Sequence, residues 1–408
     1  MIYWLSRPAL ITLELTPACT NRCPGCFNPF RDERSRPPLP ASEWRRILEQ
    51  VCSAAHLVKL SGGEPTLHPE FDSILALLEE FDQPFSLFTN ALWERPAWLV
   101  QRLLSIPKFH VALISLHGAT SAAHEAFTGV PGSFAETMAN LRYAVSAGLR
   151  VCLSTVIHRQ NLDELEGIAR LAAELGVKVS FARMLCAEPS SLEPTPAELR
   201  AAVVEIERLR AAGYRIKFGN CIPQCFISSS SAGCLAGVAY CAIGPWGDLR
   251  PCTHSTTVCG NVLTGSLLEA WNSSQMQSWR ALIPTACHHC AAFSRCHGGC
   301  HVLSELRGTP HDPLMRGPLT ADAAPPPIRL SPDWCPIPTY IELRTEPFGL
   351  VLLRGNRVVP IQPEMLQVLK ACDGRTPLTA LEKRFGRWGI EVIAALAQRE
   401  MLRFIRLT

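Results

Sequence analysis

The sequence predicts an α/β protein whose first half is a parallel β-sheet covered by helices. Three observations carry this prediction. Over the first ~215 residues, short β-rich runs alternate with amphipathic helical stretches. The successive strand runs are joined by helix-length segments, which implies parallel pairing through right-handed crossovers. The composition, 47% hydrophobic and 18% charged, supplies ample apolar side chains for buried cores. The predicted strands are Leu10–Leu15, Leu57–Leu60, Phe85–Thr89, Val111–Leu116, Val151–Ile157 and Val177–Ala182, with helices near 41–55, 70–81, 96–105, 133–148 and 161–175. An open sheet and a curled partial barrel both fit. In either, loops at the carboxyl ends of the strands carry the chemistry.

The texture changes at 219. From there to 305, Gly, Ser and Cys dominate and periodicity fades, apart from helical pieces near 266–280. Such a segment is expected to lack a conventional core and to be organised by bound metal. Residues 306–340 are proline-rich, including Pro325-Pro326-Pro327, and read as an extended bridge. From 341 a compact pattern returns. Strands around 348–353 and 357–361 flank a Gly355-Asn356 turn, helices follow near 363–372, 377–385 and 389–400, and Leu402–Leu407 is a last apolar run. This reads as a small winged-helix-type module, marginal alone at ~65 residues. The 408-residue length fits two or three domains, divided as 1–218, 219–340 and 341–408.

Net charge is +3 with no long basic run, so nucleic acid is not an expected partner. The N-terminus lacks a cationic region followed by an apolar one, and no run approaches the length of a membrane span. A reducing cytoplasm is therefore the expected location. There, 18 cysteines point to metal or redox chemistry rather than disulfides.

The cysteines are not scattered. Cys19, Cys23 and Cys26 form C-x3-C-x2-C directly after the first strand. Three thiolates holding a cube of four irons leave one iron open to a small molecule; a structural zinc would want a fourth protein ligand. The second strand ends in Ser61-Gly62-Gly63-Glu64-Pro65, the third in Thr89-Asn90-Ala91, the fourth in Ser115-Leu116-His117-Gly118. In this order the motifs resemble those of radical S-adenosylmethionine (SAM) enzymes. The resemblance implies a partial (β/α)6 TIM-type barrel. It implies a 4Fe–4S cluster on the three cysteines and SAM chelated through its amino and carboxylate groups. An electron from the cluster would cleave the C–S bond to give a 5′-deoxyadenosyl radical. By the same resemblance Gly62, Gly63, Glu64 and Pro65 receive the SAM amino group, with Asn90, Ser115 and Ser154 as further cofactor contacts. The sequence departs from the family at Gly25, where an aromatic residue usually packs near adenine, and Phe27 is the replacement. It departs again at Ala91 and His117, which stand for Gly and Asp.

Farther on come Cys241-x10-Cys252, with Gly247 placed for G-x4-C, then Cys287-x2-Cys290-x5-Cys296-x3-Cys300, and Cys335 after a gap. This series resembles the seven-cysteine SPASM extension. Carried over, auxiliary cluster I takes Cys241, Cys252 and Cys300, with Cys234 completing it and Cys221 and Cys225 as rivals. Auxiliary cluster II takes Cys287, Cys290, Cys296 and Cys335. The resemblance thus implies three 4Fe–4S clusters. The auxiliary pair would relay or accept electrons, or bind substrate if an iron stays open. Thr253 and His254 follow Cys252 where sulfatase-maturing enzymes place an acidic base, which argues against that activity; His254 is a candidate general base or a solvated loop residue. His288, His289, His297 and His301 are read as neighbours of the clusters rather than ligands. Cys52, Cys152, Cys186 and Cys372 are read as buried small hydrophobes, and Cys259 has no assignment.

The C-terminal module, with its hairpin and Leu369–Gly374, more weakly resembles the PqqD-like peptide-recognition element, which captures a leader peptide as an added strand. The combined expectation is an oxidoreductase that abstracts hydrogen from a ribosomally made precursor peptide to form a crosslink or other oxidative modification. A flavodoxin- or ferredoxin-like protein would be its reductant. Two alternatives remain: a radical SAM enzyme acting on a small molecule, such as a cofactor or tetrapyrrole precursor, and a non-catalytic iron–sulfur electron carrier.

Overall fold

The computed structural model describes residues 4–26, 28–185, 190–227, 233–321, 328, 330–355 and 357–406. Phe27, Cys186, Pro325-Pro326-Pro327, Asn356 and Leu407 lie outside the described residues. The chain divides into two compact units, one spanning Leu10–Asp322 and one joining Tyr3–Ala9 to Ala323–Thr408.

The first unit is built on strands β1 (Leu10–Glu14), β2 (Leu57–Ser61), β3 (Phe85–Thr89), β4 (Phe109–Ser115), β5 (Val151–Ile157), β6 (Lys178–Arg183) and β7 (Ile216–Phe218), paired in parallel in chain order. Between them run helices α1 (Ala41–Ala54), α2 (Phe71–Glu80), α3 (Pro96–Ser105), α4 (Ser121–Thr128), α5 (Ser133–Ser146), α6 (Leu165–Glu174) and α7 (Pro196–Ala211). This is the partial barrel, and its six expected strands stand within two residues of the sequence reading. Alternation explains the layering. Ile11, Leu13 and Leu15 of the β1 segment join Trp44, Ile47, Leu48 and Val51 of α1 in the apolar core. Thr12 and Glu14 point to the opposite face, where Thr12 stands in register with Lys59.

Among the described residues of the barrel, two helices lie outside the sequence expectation. Helix α4 is short, opened by the Thr120 side chain and closed by Gly129 at φ 68°. Helix α7 carries a Thr195/Glu198 capping box with Pro196 at its start, a signal present in the sequence.

The cysteine-rich segment differs from expectation in having a conventional core. Its strand β8 (Tyr240–Ile243) pairs in parallel with β1, and β9 (Asp248–Arg250) and β10 (Gly260–Asn261) extend the same sheet. Leu249, Val262, Trp271, Met276, Trp279 and Leu303 belong to the main apolar cluster of the barrel. Helices α8 (Leu267–Trp271), α9 (Ser274–Arg280), α10 (Phe293–Cys296) and α11 (His301–Arg307) complete the unit. Arg250 of β9 forms a buried ion pair with Glu14 of β1 and donates to the carbonyls of Thr253 and Ser255 at 3.1 and 2.8 Å.

In the second unit β11 (Trp334–Pro338) pairs antiparallel with β15 (Leu402–Arg406), and β12 (Glu342–Glu346), β13 (Gly349–Arg354) and β14 (Arg357–Ile361) form an antiparallel sheet. The sheet has three strands where two were expected, because β12 is too charged to read as one. Its inward Arg344 and Glu346 are buried and bonded to the N-terminal segment: Arg344 donates to the Arg7 carbonyl at 3.0 Å and Glu346 accepts from the Ser6 amide at 2.7 Å. Helix α12 (Met365–Ala371) is followed by α13 (Leu378–Gln398), which breaks at Gly386 with φ 66° into the two helices expected. Leu352, Val359, Leu369, Leu381, Ile393 and Leu396 form this unit's own core.

The Glu14–Arg250 pair sets up a stability test. Arg250→Met leaves a buried carboxylate without its partner and is expected to cost about 3–5 kcal/mol in denaturant titration. Adding Glu14→Gln is expected to recover part of that loss. Equal stability of wild type and Arg250→Met contradicts the role given to the pair.

Candidate functional site

The loop carrying Cys19, Cys23 and Cys26 leaves β1 and is pinned on three sides. Toward β2, the amides of Gly63 and Glu64 donate to the carbonyls of Thr16 and Ala18, both at 2.7 Å. This approach requires glycine: a Cβ on Gly63 would lie 2.2 Å from the Ala18 carbonyl oxygen, and Gly62 has φ +142° with its Cβ position 2.5 Å from the Thr16 oxygen. Toward α4, the Arg22 amide donates to the Thr128 carbonyl at 2.8 Å. From the following turn, Arg34 donates to the carbonyl of Asn21 at 2.5 Å and Arg31 to that of Cys26 at 3.3 Å.

Glu64 is fully buried at the end of β2. Its Oε1 accepts from the hydroxyls of Thr66 and Thr89 at 2.7 and 2.8 Å, and its Oε2 from the Asn90 amide at 2.8 Å. Burial pushes the carboxyl up, and these donors oppose the shift. Asn90 donates from its side chain to Thr20 at 2.8 Å and lies 3.9 Å from the Cys19 sulfur. The first loop, Gly62 to Pro65 and Asn90 therefore meet at one end of the sheet. Ser115 ends β4 and stands in register with Ser154 at the middle of β5, both half-buried. Ala91 takes φ 60°, the left-handed conformation for which glycine is usual here.

Beside Gly25 the structure places Phe127 and Met184. A Cβ on Gly25 would lie 3.3 Å from the Phe127 ring, and Cys23 packs against the same apolar group. Phe127 lies tilted against His117, ring centroids 4.2 Å apart, and stacks on His158 at 4.7 Å. Burial pushes the imidazoles of His124 and His158 down to about 4 and that of His117 well below its usual value.

The later cysteines sort differently from the sequence reading. Cys234, Cys252 and Cys300 are mutual neighbours, with Cys221 beside Cys296 first and then Cys234 and Cys300. Cys241 is not among them: it lies on β8 with Cys259 and Arg280 as its charged neighbours. Cys234, rather than Cys241, is thus the upstream cysteine beside Cys252 and Cys300. Cys287, Cys290 and Cys296 line one cavity. Cys335 is on β11 in the second unit, opposite Ile405. His254 is half-buried rather than freely solvated, with desolvation and then Lys59 and Arg250 pushing it down to about 4. His297 and His301 are buried, while His288 and His289 are exposed.

Several positioning residues escape the sequence reading because their partners are distant in the chain. Arg183, at the end of β6, makes a buried bidentate pair with Asp312 at 2.5 and 3.2 Å, and Asp312 accepts from the Cys300 amide at 2.9 Å. The Asn220 side chain bonds both backbone groups of Arg183, at 2.9 and 2.8 Å. Glu305 of α11 collects the loop after Cys252, accepting from the Ser255 hydroxyl at 3.0 Å and from the amide and hydroxyl of Thr257 at 2.9 and 2.7 Å.

Crowding of the thiols has an electrostatic consequence. Burial, with Glu64 next, pushes Cys19 up to about 11, and burial with Cys26 and Cys19 pushes Cys23 up to about 12. Such groups ionise together only when positive charge sits among them, as in a metal centre. Among the described residues no three His, Cys, Asp or Glu side chains converge tightly enough for a single ion; a four-iron cube holds its thiolates around a larger body.

Comparison with known proteins agrees with this geometry. Residues 13–172 match the radical SAM superfamily, and residues 234–297 match SPASM, an iron–sulfur cluster-binding domain, the match opening on Cys234. The chain is 29% identical over 330 residues to mycofactocin maturase MftC of Mycobacterium ulcerans, covering 76% of this chain and 87% of the maturase. It is 28% identical over 324 residues to the PqqA peptide cyclase of Ruegeria pomeroyi, covering 74% and 85%. The crystal structure of Streptococcus suis SuiB bound to precursor peptide SuiA superposes with a TM-score of 0.64 at 21% identity over 77% of each chain, a likeness of fold.

Two outcomes follow from the site. Gly63→Ala is expected to displace the Cys19 loop and to lower the iron of anaerobically reconstituted protein by about four atoms per chain, with circular dichroism unchanged; full iron content contradicts the tight approach. The second concerns pH. Because His124 and His158 are held below their unfolded value, their stabilisation is complete above about pH 6.5 and is lost as pH falls toward 4. Denaturant titrations at about pH 7.5 and 5.5 should show lower stability in acid, and His158→Gln should flatten the difference.

Proposed function

The chain is a radical SAM protein with a SPASM iron–sulfur domain, and we propose that it abstracts hydrogen from a ribosomally made precursor peptide, leaving a crosslink or other oxidative modification. The observation that carries this reading is the meeting of the Cys19–Cys26 loop with Gly62, Gly63, Glu64 and Asn90 at the carboxyl ends of the barrel strands. When bound, a 4Fe–4S cluster and SAM supply the electron and the 5′-deoxyadenosyl radical.

In this reading Cys19, Cys23 and Cys26 hold the catalytic cluster and leave one iron open to SAM. Glu64 is preorganised by Thr66, Thr89 and Asn90, and its Oε2, which carries one protein donor, takes the SAM ammonium. Ser115 and Ser154 face the ribose or carboxylate. With no ring at Gly25, Phe127 and Met184 are the apolar side chains offered to adenine. Two auxiliary clusters bring the number to three. Cys221, Cys234, Cys252 and Cys300 hold the first, braced by the Arg183–Asp312 pair. Cys287, Cys290 and Cys296 belong to the second. Held by these residues, auxiliary clusters would supply one-electron redox chemistry beside the site.

The peptide substrate is supported by the relatives, which are named as a peptide cyclase and a maturase. It is supported also by the antiparallel sheet of the second unit, whose edge strands β12 and β14 suit capture of an extended leader as an added strand. A PqqD-like role for this unit and a flavodoxin- or ferredoxin-like reductant complete the proposal. Among the described residues no helix is long and apolar enough to cross a membrane, which accords with the cytoplasmic location proposed here.

Anaerobically reconstituted protein with dithionite and SAM is expected to release 5′-deoxyadenosine, and Cys26→Ala to abolish this while keeping the auxiliary iron. No 5′-deoxyadenosine from the wild type overturns the enzyme reading in favour of an electron carrier. Fluorescence anisotropy with the product of a neighbouring short reading frame is expected to show binding that disappears when residues 323–408 are removed. Failure of the intact protein to bind any such peptide favours a small-molecule substrate.

A further inference from the structure

We infer that Cys225, and not Cys335, is the fourth thiolate of the second auxiliary cluster. The inference rests on the reading above that the SPASM region holds clusters, and it changes which part of the chain closes one of them. Cys225 lies in the segment between β7 and β8, far upstream of the C-x2-C-x5-C run, and no sequence spacing connects the two. In space they share one cavity: Cys225, Cys287, Cys290 and Cys296 line it together with Phe293 and Met315.

The cavity is built as a sulfur-rich centre requires. Backbone amides are aimed at its thiols. The Arg316 amide donates to the Cys225 sulfur at 3.3 Å and the Leu319 amide to the Cys290 sulfur at 3.3 Å. Cys296 receives backbone amides from Gln224, Gly298 and Gly299. Such donors stabilise the thiolate form that binds iron. Gln224 lines the same cavity, only 1% exposed, and neither its amide oxygen nor its nitrogen has a hydrogen-bond partner among the described residues. A buried amide left so is costly unless a bound group completes it, and cluster sulfide is an acceptor for its N–H.

Cys335, by contrast, lies on β11 of the second unit opposite Ile405, and its charged neighbours are Asp373 and Asp333 rather than other thiols. With four thiolates from the first unit alone, the cluster has no open iron. It is then suited to electron relay rather than substrate coordination.

The test uses the holoprotein in a Cys19→Ala/Cys23→Ala/Cys26→Ala background, so that only auxiliary clusters report. Iron and sulfide content, Mössbauer spectra and electron paramagnetic resonance are compared for Cys225→Ala, Cys225→Ser and Cys335→Ala, with Cys152→Ala as a control for loss of a buried thiol. Cys225→Ala is expected to lose about four irons per chain or to convert one cluster to a three-iron form. Cys225→Ser is expected to retain the iron with altered spectra, which separates ligation from misfolding. Cys335→Ala is expected to match the parent. Parent-like spectra for both Cys225 variants, or the loss appearing in Cys335→Ala instead, overturns the inference. Absence of auxiliary clusters from the parent overturns the underlying reading.

Discussion

Thiols that are buried beside one another resist ionising, and most of this architecture answers to that constraint. Cys19 and Cys23 are each pushed up by burial, and Cys23 by its neighbouring thiols as well. The same holds for Cys287, which burial, Cys296, Cys290 and Cys225 push up to about 12. A fold that gathers thiols in this way depends on bound positive charge to hold them as ligands. It also needs fixed donors around them, because a thiolate in a dry pocket is stabilised by backbone amides where water is excluded.

The barrel provides the rigid part of that arrangement. Parallel strands end together, so the loop after β1, the Gly62–Glu64 turn and Asn90 arrive at one edge with their backbones already bonded. The cysteine-rich segment is attached to the same frame by β8, which adds to β1, and by the Glu14–Arg250 pair. The Arg183–Asp312 pair does the equivalent at β6, since one carboxylate there binds a barrel guanidinium and the Cys300 amide. These buried charged contacts hold the cysteine-bearing loops on the strands.

Much of the barrel is legible in the sequence because its signals are local. The strand runs at 57–60, 85–89 and 151–157 and the helices at 41–54 and 96–105 follow from periodicity and boundary residues. Strand β12 is illegible because its inward Arg344 and Glu346 break the apolar alternation, and bonds to the Arg7 carbonyl, the Ser6 amide and the Glu342 carboxylate hold them there. Helix α7 escapes a reading by periodicity although its capping box is in view. The core of the cysteine-rich segment escapes it because its apolar residues are sparse along the chain and become a core only against the barrel.

By itself the sequence determined the chemistry of the first centre. Three cysteines within eight residues lie within reach of one cluster whatever the rest of the chain does, and two glycines before a glutamate can be read in place. Which of the later cysteines stand together was decided by tertiary structure. Cys241 satisfies the spacing to Gly247 and Cys252 but points to Cys259 and Arg280, because its position on β8 fixes the face it occupies. Cys225 has no motif at all, yet the fold sets it among Cys287, Cys290 and Cys296. Spacing constrains ligands only over the few residues in which the backbone has little freedom; beyond that, the sheet decides which thiols meet.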